Sequence, residues 1–218
     1  MALPTVVALV SGGVESLVLV QRLLRHGATV FPVYCRCGLI WEPGELFWLK
    51  RWLALIRQPH LKPLHVLEIP LHAIYGSHWS LTGRGVPSHR SRDAAVYLPG
   101  RNVVLLSAAA LYATRQHAST IAVGLLAGNP FADATPTFLR SLAACLTQAL
   151  SHPIRIVAPL QRWTKARLIA AEPDDPFHLT FSCIHPRGRR HCGRCNKCAE
   201  RQRAFCQAKV TDSTSYVR

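Results

Sequence analysis

Short continuous apolar runs alternate along this chain with longer segments whose apolar residues recur at helical spacing. The first run, Thr5 to Val10, leads into a helical segment from Val14 to His26. A second, Ala28 to Tyr34, is followed by Pro43 to Ile56, where Leu46, Leu49, Leu53 and Ile56 share one helical face. A third run covers Leu64 to Ile69. Tyr75 to Leu98 is polar, contains glycine and predicts a loop, a candidate lid. The segment Asn102 to His117 is small and apolar on nearly every face, which predicts a buried helix. A strand over Thr120 to Gly124, a helix over Thr135 to Leu150, a strand over Ile154 to Val157 and a short helix over Thr164 to Ala171 complete the series. Thr135 ahead of Pro136 predicts an N-cap with proline at the first helical position. The tail beyond Val210 is polar and is expected to lie over the surface.

Five strands alternating with helices imply a Rossmann-like, doubly wound α/β fold with one parallel sheet covered on both faces. Ligands bind beyond the carboxyl ends of such strands. Ser11 to Ser16, Tyr34 to Gly38 and Gly124 to Pro130 all occupy such ends.

The turn after the first strand, Ser11-Gly12-Gly13-Val14-Glu15-Ser16, carries the most chemistry. Two adjacent glycines let the backbone turn sharply and leave amide N–H groups uncovered. Ser11 and Ser16 add hydroxyl donors, and the helix N-terminus adds its partial positive charge. Such a turn suits a phosphate or pyrophosphate; the plainer alternative is a glycine βα turn that only packs. It matches neither the G-x-x-x-x-G-K-[ST] loop nor G-x-G-x-x-G.

At 218 residues the chain fits one main domain, read as residues 1–175, with a small C-terminal lobe, residues 176–218. A hydrophobic content of 49% supports a sizeable core. No apolar run reaches the ~18 residues that span a bilayer. Met1-Ala2-Leu3-Pro4 runs straight into the first strand, so the expectation is a cytoplasmic protein without a signal peptide. Lys and Arg number 26 against 11 Asp and Glu, a formal charge of +15. That excess suits anionic partners: nucleotides, RNA or an acidic protein. No stripe of Phe or Tyr alternating with Arg appears, so a base-stacking platform is not indicated. Basic residues gather at Arg187, Arg189 and Arg190, and again at Arg194, Lys197, Arg201 and Arg203.

The same region holds half of the 8 cysteines. Without a secretory signal, that usage points to metal or catalysis and away from disulfides. Cys183, Cys192, Cys195 and Cys198 follow the spacing C-x8-C-x2-C-x2-C. Four thiolates satisfy tetrahedral Zn²⁺, and they also hold [4Fe–4S]. Gly193 permits the sharp turn inside the array. His185 and His191 lie within it but are not needed as ligands. Cys35 and Cys37 close the second strand, either as small apolar residues or as sulfur carriers.

The loop resembles the S-G-G-x-D-S loop of the ATP-pyrophosphatase (PP-loop) superfamily, with Glu15 in place of the usual Asp. Four further segments follow in order: Pro99-Gly100-Arg101-Asn102, Pro159-Leu160 with Thr164-Lys165, Thr180 to Cys183, and Cys192 to Cys198. With them the chain is similar, over nearly its whole length, to the 7-cyano-7-deazaguanine synthase (QueC-like) family. The resemblance implies a PP-loop/HUP-type sheet, and ATP, Mg²⁺ and Zn²⁺ as cofactors. It implies that ATP adenylates 7-carboxy-7-deazaguanine, that ammonia displaces AMP, and that a second adenylation yields the nitrile preQ0. Ser11, Gly12, Gly13, Val14, Glu15 and Ser16, with Asn102 and Gly124, would hold the nucleotide. Ser11, Glu15, Arg101 and Lys165 would carry catalysis, and Cys183, Cys192, Cys195 and Cys198 the zinc. Arg36, Glu42 and Glu45 occupy the family's substrate-facing segment.

The family's D-Y-S-G-Y-P-D-C-R segment is replaced here by Gly128 to Pro136, where Asp133 and Thr137 are partial stand-ins and Phe131 a stacking residue. Implied partners are the deazapurine and ATP, with a homo-oligomer, a dimer, as the expected assembly. Three other readings stay open: a ligase joining the deazaguanine to a protein amine, a tRNA-modifying enzyme, and a non-catalytic nucleotide-binding module.

Overall fold

The computed structural model describes residues 4–217. Met1 to Leu3, which bear on the expected lack of a leader, lie outside the described residues. Five strands form one wholly parallel sheet in the order β3-β2-β1-β4-β5. They are β1 (Thr5–Leu9), β2 (Thr29–Arg36), β3 (His65–Glu68), β4 (Thr120–Val123) and β5 (Arg155–Val157). Valines and isoleucines dominate them because both sheet faces are covered. The sheet separates two cores. One packs β1, β2 and β4 residues such as Val6, Val30 and Ala122 against α1 (Val14–Arg25) and α2 (Glu42–Leu55). The other packs Val7, Val33 and Ile121 against residues farther along the chain, Leu106, Ala109 and Leu139.

The chain runs outward from β1 to β2 and β3, then returns to place β4 on the other side of β1. The switch point is therefore the pair β1–β4, and the crevice at their carboxyl ends is where ligands bind in such sheets. Ser11 to Ser16 follow β1 and Gly124 follows β4.

The polar stretch expected as a loop is partly ordered. It is preceded by α3 (His72–Tyr75) and contains α4 (Trp79–Thr82) and a 3₁₀ turn, Asp93–Val96. Both helices are a single turn long, too short to show a 3.6-residue period. The next helix, α5 (Arg101–Arg115), starts one residue before Asn102, with Gly100 at its N-cap in a left-handed conformation, φ 70°. Nor is α5 buried all round: Leu111 is 58% and Val103 39% exposed, because only one side meets the sheet. Helix α6 (Pro136–Leu150) starts as expected, the Thr135 hydroxyl accepting from the Phe138 N–H at 3.2 Å. Helix α7 (Lys165–Ala171) is capped in the same way by Thr164.

A final helix, α8 (Asn196–Ala208), has no counterpart in the apolar pattern. Its inward side is unusual: Arg201 is fully buried. The guanidinium donates to Asp212, to Thr180 Oγ1 at 2.7 Å and to the Phe177 carbonyl at 2.9 Å. This pins the tail, which Asp212 and Tyr216 anchor more firmly than a surface-laid segment would need. No helix among the described residues is long and apolar enough to cross a membrane.

Arg201→Met leaves Asp212 a half-buried carboxylate without its cation. The expected loss is about 3 kcal/mol of stability, read from urea unfolding. A loss below about 1 kcal/mol would show that the pair does not hold the tail.

Candidate active site

Gly12 turns the chain with φ +83°, and a Cβ there would sit 3.0 Å from the Glu45 carbonyl oxygen. Gly13 is the N-cap of α1 and offers no side-chain cap, so the first-turn amides remain open donors. The Ser16 hydroxyl accepts from the Ser11 N–H at 2.9 Å and lies 3.3 Å from the Ser11 hydroxyl. Phe181 donates its N–H to the Gly12 carbonyl at 2.8 Å, which ties the loop to the C-terminal segment. Val14 turns its side chain fully into the core, so only its backbone belongs to the loop. Gly124 is required by space: a Cβ there would lie 3.1 Å from the Cβ of Glu15.

Beside the loop runs a chain of charges. Lys165 Nζ lies 2.9 Å from Glu15 and 2.6 Å from Glu200, and Glu200 also pairs with Lys197 at 2.6 Å. Burial alone would depress the Lys165 ammonium, but Glu15 and Glu200 hold it above the ordinary lysine range. Burial likewise opposes ionisation of Glu200, yet Lys165 and Lys197 bring its carboxyl down to about 2. Lys197 and Glu200 lie on α8, so neither was legible as a site residue while that helix went unseen.

A cavity of about 300 Å³ opens against the loop. Ser11, Gly13, Glu15 and Lys165 line it together with Arg101, Glu45, Trp41, Trp79 and Phe131. Trp41 and Trp79 stack at 5.7 Å, and Phe131 stacks on Tyr97 at 5.0 Å, giving flat apolar walls. Two ionisable groups face this space. Arg101 has a buried Nε without a hydrogen-bond partner. Glu45 accepts from the Tyr34 hydroxyl at 2.7 Å through one oxygen only. Burial pushes the Glu45 carboxyl up to about 8, with Arg101 and Tyr34 opposing the rise.

Other expected residues sit elsewhere. Asn102 does not cap α5 with its side chain; its backbone N–H and amide donate to Asp133 at 3.1, 3.0 and 3.3 Å. That use engages both carboxylate oxygens of Asp133, which is buried. Thr137 accepts from Arg140 on the surface, at 3.2 Å. Glu42 is buried and accepts the N–H groups of Cys37 and Gly38 at 2.5 and 3.1 Å, a structural role. Arg36 is half exposed and pairs with Glu68 at 3.1 Å. Cys35 and Cys37 are buried, and burial raises their thiols to about 12 and 11. They are protonated, apolar fillers with no thiolate to carry sulfur.

The four cysteines of the C-terminal array converge. Their sulfurs all lie within 4.8 Å of one another, with Cys183–Cys195 at 3.9 Å and Cys192–Cys198 at 4.0 Å. Tetrahedral Zn–S bonds of about 2.3 Å place sulfurs ~3.8 Å apart, so the set fits. The N–H groups of His185, Cys192 and Arg194 point at these sulfurs. Gly193 makes the turn with φ +71°. His191 is not a ligand: its Nε2 accepts from the Ser182 N–H at 3.0 Å, and burial pushes it down to about 3, so it is neutral.

The family model of the queuosine biosynthesis protein QueC matches residues 5–209. The chain belongs to the QueC family. The 7-cyano-7-deazaguanine synthase 1 of Desulfitobacterium hafniense (strain Y51) is 33% identical over 205 residues, covering 92% of this chain and 90% of the relative. The 7-cyano-7-deazaguanine synthase of Anaeromyxobacter sp. (strain Fw109-5) is 34% identical, covering 97% and 96%. Among solved structures, a 4-thiouridine synthetase–RNA complex with bound ATP superposes with a TM-score of 0.54 at 16% identity. It covers 94% of this chain and 50% of that one, and shares the fold. This QueC-family chain is thus an α/β enzyme of the PP-loop type with a four-cysteine cluster that fits a metal.

Two tests follow from the geometry. Glu45 has a folded-state value near 8 against an unfolded value of 4.5, so the native state holds the extra proton between them. Its contribution is therefore fully favourable below pH ~4.5 and fades as pH rises towards ~8. Wild type should lose stability relative to Glu45→Gln across that window in parallel urea titrations; parallel curves would refute the buried acid. Secondly, elemental analysis should find one zinc and no iron per chain, and chelation should lower the melting temperature by several degrees.

Proposed function

We propose that this protein is an ATP-dependent 7-cyano-7-deazaguanine synthase, converting a 7-carboxy-7-deazaguanine carboxylate and ammonia to the nitrile. The observation that carries the reading is one cavity in which an open helix N-terminus, an unpaired arginine and flat aromatic walls meet. The Ser11–Ser16 loop receives the pyrophosphate end of ATP on its free amides and hydroxyls. Lys165, fixed between Glu15 and Glu200, offers its remaining ammonium N–H where negative charge grows as pyrophosphate leaves. Bound Mg²⁺ would neutralise the same oxygens, and Glu15 is the carboxylate nearest the loop able to hold it.

The acceptor lies between the aromatic walls. Arg101 orients its carboxylate, and the free oxygen of Glu45 faces the polar edge of the heterocycle. Attack of that carboxylate on the α-phosphorus breaks the bond to pyrophosphate and forms the acyl-adenylate. Ammonia then adds at the acyl carbon and AMP departs, leaving the amide. A second ATP takes the amide oxygen, which leaves as AMP while the nitrogen loses its protons. The Cys183–Cys198 cluster holds structural zinc and fixes the start of α8.

The reading is tested by pyrophosphate release and product mass. Release should depend on both 7-carboxy-7-deazaguanine and ammonium, and the product should have the mass of preQ0. No substrate-dependent release across a Mg²⁺ and ammonium range would overturn it. Lys165→Met should lower kcat by about a hundredfold while leaving binding of the acceptor nearly unchanged.

A further inference from the structure

We propose that the face built by residues 83–92 and residues 185–194 binds the phosphate backbone of a nucleic acid. The inference is independent of the adenylation chemistry.

Three observations carry it. The first is how the charge is divided between inside and outside. Among the described residues the exposed carboxylates are Glu68, Asp93 and Asp174. Most of the others are consumed inside: Glu15 and Glu200 on Lys165, Asp133 on Asn102, Asp212 on Arg201, and Glu42 and Glu45 in the buried wall. The surface is therefore left strongly cationic.

The second is where those cations are held together. Residues 83–92 are fastened to the cysteine lobe by backbone bonds. His89 N–H donates to the Arg194 carbonyl at 2.9 Å, and Asn196 N–H to the Pro87 carbonyl at 2.9 Å. Asn196 Nδ2 also donates to the Ser91 carbonyl at 2.8 Å. This places Arg84, Arg90 and Arg92 beside Arg187 and Arg194, all exposed. A groove of about 430 Å³ runs between the two segments, lined by Ser88, His185, Arg187 and Arg194 together with Val86 and Val217. The face continues onto α2, where the Phe47 ring has Arg189 at 4.1 Å and Arg51 at 4.8 Å. Asp93, the one exposed acid of this region, is engaged by Asn196 at 3.1 Å. The cysteine cluster beneath, loaded with zinc, carries a net charge of about two negative and offsets only a minority of these cations.

The third decides the class of partner. An interface with a folded protein needs apolar anchors at its centre. The apolar side chains of this face, Phe47, Val86 and Val217, are half-buried, and among the described residues the large exposed ones, Leu55, Ile74, Val103 and Leu111, belong to other segments. A phosphate backbone needs no apolar anchor, only cations at its own spacing. Arginine supplies planar forks for phosphate oxygens and flat surfaces for unpaired bases.

The experiment uses fluorescence anisotropy of the zinc-loaded protein with a tRNA transcript, a single-stranded RNA and a DNA duplex. We expect micromolar binding at 50 mM KCl that weakens by about a thousandfold at 200 mM, the slope of a complex with roughly six phosphate contacts. Whichever of the three probes binds most tightly identifies the source of the backbone. The quadruple variant Arg90→Gln, Arg187→Gln, Arg189→Gln and Arg194→Gln should bind at least about tenfold more weakly, with a salt slope smaller by about four. A control of equal charge change outside this face, at Arg140, Arg155, Arg162 and Arg167, should bind within about threefold of wild type. Equal losses in the two variants, or no binding at 50 mM KCl, would overturn the proposal. So would polyglutamate of matched charge competing as well as RNA, because the face would then suit acidic polypeptides. Where the variant fails to fold, crosslinking of wild type to 4-thiouridine-substituted RNA decides. Adducts should map to peptides within 83–92 and 185–194, and adducts confined to other segments refute the assignment.

Discussion

Lys165 held between Glu15 and Glu200 is the contact on which the site depends. It joins three pieces of chain that are far apart in sequence: the turn after β1, the first residue of α7, and the middle of α8. A buried ammonium is costly unless it is paired on all sides. Here each partner answers another: Glu15 takes one side of Lys165, Glu200 the other, and Lys197 the remaining oxygen of Glu200. The network is therefore a geometric condition on the fold. If α8 is displaced, Glu200 and Lys197 leave together, and the buried Lys165 ammonium keeps only Glu15 as its partner. The four-cysteine cluster sits at the start of that same helix, with Cys195 at its N-cap and Cys198 in its first turn. A metal bound there would act on the Ser11–Ser16 turn through the position of this helix.

The same economy of carboxylates explains the composition. Eleven Asp and Glu against 26 Lys and Arg looks like a surface property when read as a number. In the fold it is a property of the interior. The acids are used to pair buried cations, to cap backbone donors, and to line a cavity, as Arg201–Asp212, Glu42 and Glu45 illustrate. What remains outside is nearly unopposed positive charge.

The strands, the glycine turn after β1 and the cysteine set were legible in the sequence because each rests on a local rule. A buried parallel strand must be apolar, a βα turn that exposes amides must be glycine, and a tetrahedral thiolate site needs closely spaced cysteines. What escaped depends on contacts between distant segments. Helix α8 is polar along most of its length, and its inward residues include Arg201, which reads as surface until Asp212 and the Thr180 hydroxyl come to meet it. Trp41 and Trp79 lie in different elements and become a wall only when α4 folds against the start of α2. Asp133 reads as a free acid for a similar reason. Its partner, Asn102, lies 31 residues earlier, so nothing nearby in sequence signals that the carboxylate is spent.

Glu15 is where these threads meet, since a shorter acid is usual at its position. Aspartate stops one methylene sooner, about 1.5 Å closer to the helix. Glutamate spans to Lys165 at 2.9 Å while its Oε2 stays near the loop, 3.2 Å from where a Gly13 Cβ would be. Gly124, just beyond β4, leaves room for residue 15 itself, since any Cβ there would press on the Glu15 Cβ at 3.1 Å and on its backbone at 3.4 Å. One carboxylate can therefore serve the ammonium and still present an oxygen beside the phosphate loop. The extra methylene is matched by the buried lysine across the crevice, which the longer carboxylate reaches without leaving the loop.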